Sequence, residues 1–148
     1  YTSVNTLSLH DALPISAELK ADLQPIIEQR LSQRAAVLAD AAAPSSARYE
    51  ALVDLIQMSK DLKNFPAATK LSPAINKAKQ EPAMQTEGRA ETAYRSALAR
   101  LQKASARDKP RIVKELETLA LKNPETKYGQ LAGARAKELS ESVLAHSK

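Results

Sequence analysis

Residues 90–104 read AETAYRSALARLQKA, and within them Ala90, Tyr94, Ala97, Leu98, Leu101 and Ala104 recur at steps of three and four. That spacing places all six on one face covering about a third of a helix circumference, with polar residues on the remainder. The composition of the whole chain agrees with helix. Ala, Leu, Glu, Gln, Lys and Arg dominate its 148 residues, and these side chains lose little freedom in a helix. Only five aromatic residues (Tyr1, Tyr49, Phe65, Tyr94 and Tyr128) and three glycines (Gly88, Gly129 and Gly133) are present, so strands and hairpin turns lack their usual material.

Outward from this stretch the same periodicity predicts four or five further helices. Leu23, Ile27, Leu31, Ala35 and Leu38 form a first stripe. Asp22 is expected to cap that helix, which puts Pro25 in the first turn, where its missing N–H is tolerated. Ala41–Ser46 reads as a linker, with Ser45 or Ser46 capping a second helix that buries Tyr49, Leu52, Val53, Ile56 and Leu62 and ends near Asn64-Phe65-Pro66. A shorter third helix carries Leu71, Ile75 and Ala78 and runs to Glu81-Pro82, its start blurred by Pro73. Residues 90–104 belong to the fourth. Asp108-Lys109-Pro110 is expected to cap a fifth, with Ile112, Val113, Leu116, Leu119 and Ala120 inward.

Asn123-Pro124-Glu125 then supplies a cap, a proline at the first helical position and an acid for the positive helix end, opening a sixth helix with Tyr128, Leu131, Ala132, Leu139 and Val143 inward. Short connections imply antiparallel hairpins. The fold class expected is therefore all-α, built of antiparallel helical hairpins, with five to six helices. Leu62-Lys63-Asn64-Phe65-Pro66 before Thr69-Lys70 echoes Leu121-Lys122-Asn123-Pro124 before Thr126-Lys127, which suggests a repeated unit of about 60 residues. Gly129 and Gly133 sit within the sixth helix, where close helix–helix approach is the expected reason for them.

Two resemblances bear on this reading. Thr6–Ser16, TLSLHDALPIS, resembles the translation of a widely used short-read sequencing adapter. It implies that residues 1–16 are not native, that His10 and Asp11 carry no chemistry, and that residues 17–148 are a helical domain forming the C-terminal fragment of a larger protein. Separately, Asn123–Tyr128 with Leu131, Ala132 and Ala136, preceded by Tyr94, Ala97 and Leu98, resembles the junction between tetratricopeptide-like (TPR-like) helical pairs, most similar to those of bacterial envelope proteins. The early Trp-Leu-Gly run of that family is missing, and the repeat distance exceeds its 34 residues. The likeness covers about residues 85–140. It implies a protein-binding or domain-packing role and a periplasmic or secreted location. A looser likeness is to the helical tails of secreted bacterial thioredoxin-like proteins.

The chemical inventory is short. There is no cysteine, and the sole histidine besides His10 is His146, so a His-based triad, a thiolate nucleophile and a Cys/His metal site have no material. No metal ligand set, cofactor site or catalytic residue is expected, and no apolar run is long enough to cross a membrane. Glu115 and Glu117 point apart on their helix, and Glu138 and Glu141 read as solvated charges. The net charge is +5, and setting Asp11 aside makes the remainder one unit more positive.

The one surface feature singled out is basic. Arg89, Arg100, Lys103 and Arg107 share a narrow band of the fourth helix, continued by Arg111 and Lys114. The preferred reading is a solvated flank whose aliphatic stems cover the core edge; the alternative is a stripe that binds phosphate or acidic groups with steep salt dependence. The functional expectation is a non-catalytic helical-repeat module whose partner is another protein or an upstream domain of the same chain, with self-association through an uncovered apolar face as a further outcome. Two alternatives are the tail of a secreted thioredoxin-like or other enzyme, and a basic nucleic-acid-binding domain. Nucleic acid ranks last, since the stripe lacks the aromatics on which bases stack.

Overall fold

The computed structural model describes residues 17–63 and 65–145. The adapter-like segment, His10, Asp11, Asn64 and His146 lie outside the described residues, as does the side chain of Val143. Among the described residues every regular element is a helix: α1 (Ala17–Ala39), α2 (Ser45–Asp61), the single turn α3 (Pro66–Thr69), α4 (Ser72–Gln80), α5 (Pro82–Lys103), α6 (Lys109–Lys122) and α7 (Lys127–Ala145). Six helices and one turn thus match the all-helical expectation.

Prolines set several of the boundaries. Phe65 and Glu81 are extended, the conformation favoured before proline, and Pro66 and Pro82 then open α3 and α5. Pro73 lies in the first turn of α4 and has no N–H to offer the turn before it; the expected third helix is α4, starting at Ser72, and the single turn α3 before it is an element the sequence reading does not contain. Pro25 departs from expectation. It sits inside α1, Ala17–Ala39, and Asp22 is a helical residue and not a cap. The ring is tolerated because Ala21 and Pro25 both face solvent, where water can bind the carbonyl that lost its partner.

Two apolar clusters form, and α5 runs through both. The first joins Leu31 and Leu38 of α1, Ala51, Leu52 and Leu55 of α2, Ala68, Ile75 and Ala78 of α3 and α4, and Met84 at the start of α5. The second joins Ala97 of α5, Ile112, Val113 and Leu116 of α6, and Ala132 and Ala136 of α7, with Tyr94, Leu101, Leu119, Ala120 and Leu139 packed around them. At 22 residues, α5 is about 33 Å long, enough to serve one cluster with each half.

Several inward assignments shift. Val53 is 41% exposed while Ala51 and Leu55 are buried, because α2 is covered by α1 on one side and by α4 and α5 on the other, which turns its buried face away from Val53. Leu131 is 39% exposed, since α7 presents Ala132 and Ala136 to α6 and α5 and leaves Leu131 on its outer side. Neither Ser45 nor Ser46 caps α2, whose N-cap is Pro44; Asp108 holds the N-cap position of α6 but makes no capping bond, its carboxylate accepting instead from the Ser105 hydroxyl.

The α6–α7 turn is also reassigned. Asn123 does not start α7. Its Nδ2 donates to the Leu119 carbonyl, closing the carboxyl end of α6. Pro124 and Glu125 lie in the turn, and Thr126 is the residue that caps α7, its Oγ1 accepting from the Gly129 N–H at 2.9 Å while its hydroxyl donates to the Asn123 carbonyl at 2.9 Å. A Cβ on Gly129 would stand 1.9 Å from that carbonyl oxygen, so Gly129 is there to admit the folded-back turn rather than a neighbouring helix. Gly133 does face a neighbour, with Ala120 of α6 at 3.3 Å. The echoed helix ends diverge in three dimensions: α2 is followed by the short α3 and α4, α6 by the single long α7.

These packings give contrasting expectations for denaturant unfolding. Leu116→Ala, at a fully buried position, should cost about 2–5 kcal/mol, whereas Leu121→Ala, at a leucine 82% exposed, should stay within about 0.5 kcal/mol. Gly129→Ala forces the turn backbone to move and should cost about 1–3 kcal/mol. Equal losses for Leu116→Ala and Leu121→Ala would contradict the placement of α6.

Candidate functional site

Between the two apolar clusters the stripe of α5 carries carboxylates. Met84, Glu87, Ala90, Tyr94 and Ala97 follow one another at steps of three and four, so Glu87 points inward in register with its apolar neighbours and is fully buried, while Glu91 sits one turn along at the edge of the same face. A buried carboxylate is costly unless it is well bonded. Glu87 has donors from two helix starts. The Ser45 hydroxyl, on the first residue of α2, donates to Oε1 at 3.0 Å; the Lys127 backbone N–H, on the first residue of α7, donates to Oε2 at 3.2 Å. Helix amino ends expose N–H groups that lack an intrahelical partner, and the Lys127 N–H is one of these.

Glu91 gathers three side chains from three helices. Its Oε2 accepts from Tyr49 of α2 at 2.6 Å, and its Oε1 accepts from Tyr128 of α7 at 3.1 Å and from Arg95 of α5 at 2.7 Å. Gly88 makes the first of these possible: a Cβ there would come within 3.3 Å of the Tyr49 hydroxyl oxygen. Lys127 adds an ion pair to Glu50 of α2, and the Tyr94 and Tyr128 rings lie 5.9 Å apart, tilted by 47°. At one edge of the seam Arg48 donates to Glu81 at 2.8 Å and to the Leu38 carbonyl at the end of α1.

Ionisation follows from this geometry. Burial alone would raise the Glu91 carboxyl, but the hydrogen bonds from Tyr49, Arg95 and Tyr128 outweigh it and hold the group below the usual carboxylate range. Burial, and then the bond to the Glu91 carboxylate, push Tyr49 well above an ordinary phenol and raise Tyr128 in the same direction. Lys127 is raised by its bond to Glu50. Each of these groups is engaged with another across a helix boundary, so what the arrangement does chemically is bind α2, α5 and α7 together.

The basic band of the sequence is only partly gathered. Arg89 donates to Gln85 on the exposed side of α5. Arg100 makes an ion pair with Glu115 of α6 at 2.7 Å, and Lys103 closes α5 beside it. Arg107 falls past the end of α5, in the connection to α6, so it does not share the helix face that the spacing implies. Arg111 reaches Glu115 at 3.5 Å, and Glu138 pairs with Arg135. Among the described residues there is no group of three or more His, Cys, Asp or Glu placed to hold a metal ion, and no helix is long and apolar enough to cross a membrane. Glu87 and Glu91 are absent from the sequence reading, although a signal existed: an acid at every-third-residue register within an apolar stripe is a candidate buried charge.

The carboxylate and phenol give opposite pH limbs. The folded chain holds Glu91 ionised more strongly than the unfolded chain does, so this stabilisation is complete above about pH 4.5 and fades as pH falls through the lowered folded value. For Tyr49, raised on folding, the contribution is complete below about pH 10 and fades above it. Thermal unfolding followed by circular dichroism should therefore show a shallower acid limb in Glu91→Gln and a shallower alkaline limb in Tyr49→Phe; parallel pH profiles for parent and variants would contradict the bonding described. No protein-family model, curated protein or solved structure matches this chain.

Proposed function

We propose that this chain is a non-catalytic, tetratricopeptide-like module of antiparallel helical hairpins that binds another protein or packs on a neighbouring domain of its own polypeptide. One observation carries the reading. The polar groups with perturbed ionisation, Glu91, Tyr49 and Tyr128, are turned toward one another and join helices, while Ile26, Val53, Leu121 and Leu131 stand on outer faces. Perturbed ionisable groups mark either catalytic sites or structural networks; donors drawn from three helices and bonded to one acceptor favour the network. Exposed large apolar side chains on a rigid helical frame are what a partner would cover.

Affinity capture on the immobilised full chain, followed by reconstitution of the captured protein with purified chain in a calorimeter, tests this. The reading predicts a stoichiometric complex with a negative heat-capacity change, the mark of buried apolar surface. It fails if no captured protein binds on reconstitution, or if the purified chain turns over a member of a panel of esters, phosphoesters, glycosides and amides.

A further inference from the structure

The charge of this chain is concentrated at one corner. Residues 100–115 carry Arg100, Lys103, Arg107, Lys109, Arg111 and Lys114 against Asp108 and Glu115, a net +4 out of the +5 of the whole sequence. All six basic residues are exposed. The corner is the crossing of α5 and α6, where a cleft of about 460 Å³ opens between the two helices. Arg100, Lys103 and Arg111 line it together with Asp108 and Glu115, and Ala99, Ala104 and the buried Ile112 add apolar surface. Glu115 pairs with Arg100 at 2.7 Å and with Arg111 at 3.5 Å, and the corner keeps its net positive charge. Lys103, Lys109 and Lys114 make no ion pair among the described residues.

We propose that this α5–α6 cleft is a docking site for an acidic peptide segment of a partner protein, one that alternates carboxylates with aliphatic side chains; the proposal rests on the interaction reading above and names its partner chemistry. The exposed cations meet the carboxylates, and the apolar surface of Ala99, Ala104 and Ile112 beside them receives the aliphatic groups between. Charge complementarity of this kind steers encounter and selects partners. A nucleic-acid strand fits worse. No aromatic side chain lines the cleft for base stacking.

Fluorescence anisotropy of the full chain with a labelled ten-residue peptide of alternating Glu and Leu tests the site. Comparison probes are the matching Lys/Leu peptide and a ten-nucleotide oligothymidylate. Binding of the Glu/Leu peptide should weaken about tenfold on going from low salt to about 0.5 M NaCl. It should weaken by a similar factor in Lys103→Glu/Arg111→Glu, and change less than about twofold in Lys60→Glu/Lys63→Glu, which makes the same charge change on α2 and just after it. Circular dichroism confirms that each variant is folded, and Lys103→Gln/Arg111→Gln replaces the reversal if that one is not. The assignment is overturned if the Lys/Leu peptide binds as well, if the remote reversal loses as much, or if the oligothymidylate binds more tightly. A captured partner that binds Lys103→Glu/Arg111→Glu as tightly as the parent chain also overturns it while leaving the interaction reading standing, so the two failures are told apart.

Discussion

The carboxyl side chain of Glu87, enclosed in the second turn of α5, is the constraint on which the rest of the arrangement depends. It lies between the two apolar clusters, and its two oxygens take hydrogen bonds from the first residues of α2 and α7. Those two helices belong to different clusters, so one buried carboxyl group links them directly. An acid in this place is destabilising unless both donors are present, and each donor is costly to leave unpaired. The seam therefore specifies which helix ends meet, even where its net contribution to stability is small.

Glu91 extends the same device one turn further along α5. With Tyr49 and Tyr128 it repeats the connection of α2 and α7 at side-chain level, and the Glu50–Lys127 ion pair repeats it again nearer solvent. Three of the four tyrosines in the chain, Tyr49, Tyr94 and Tyr128, gather here. In a sequence this poor in aromatic residues, that concentration fills the space between these helices with large rigid side chains. Elsewhere alanines at Ala51, Ala78, Ala90, Ala97, Ala132 and Ala136 let the helices approach closely.

Much of the helical framework was legible from periodicity. The stripes Leu31–Leu38, Ile75–Ala78, Ala90–Ala97 and Ile112–Leu116 all turn inward, because their spacing admits no other buried face. What was not legible depended on neighbours. Val53 and Leu55 are equally apolar, and only the directions from which α1, α4 and α5 cover α2 decide between them. Asn123 carries a cap signature that serves either the helix before or the helix after, and the folding-back of the turn at Gly129 gives the role to Thr126. Glu87 was hidden because an acid on a helix is ordinarily solvated, and its donors lie some 40 residues away on each side. The basic corner was visible as charge, but the cleft that organises it forms only when α6 folds back over the end of α5.

The coupling of the two clusters through Glu87 is tested most directly by native-state hydrogen exchange, comparing amides around Leu55 with amides around Leu116 in the parent chain and in Glu87→Ala. If the buried carboxylate joins the clusters, the slowest amides of both open with one common free energy in the parent and with two separate ones in the variant. Two different opening free energies already in the parent, or a single unchanged one in Glu87→Ala, would contradict the account.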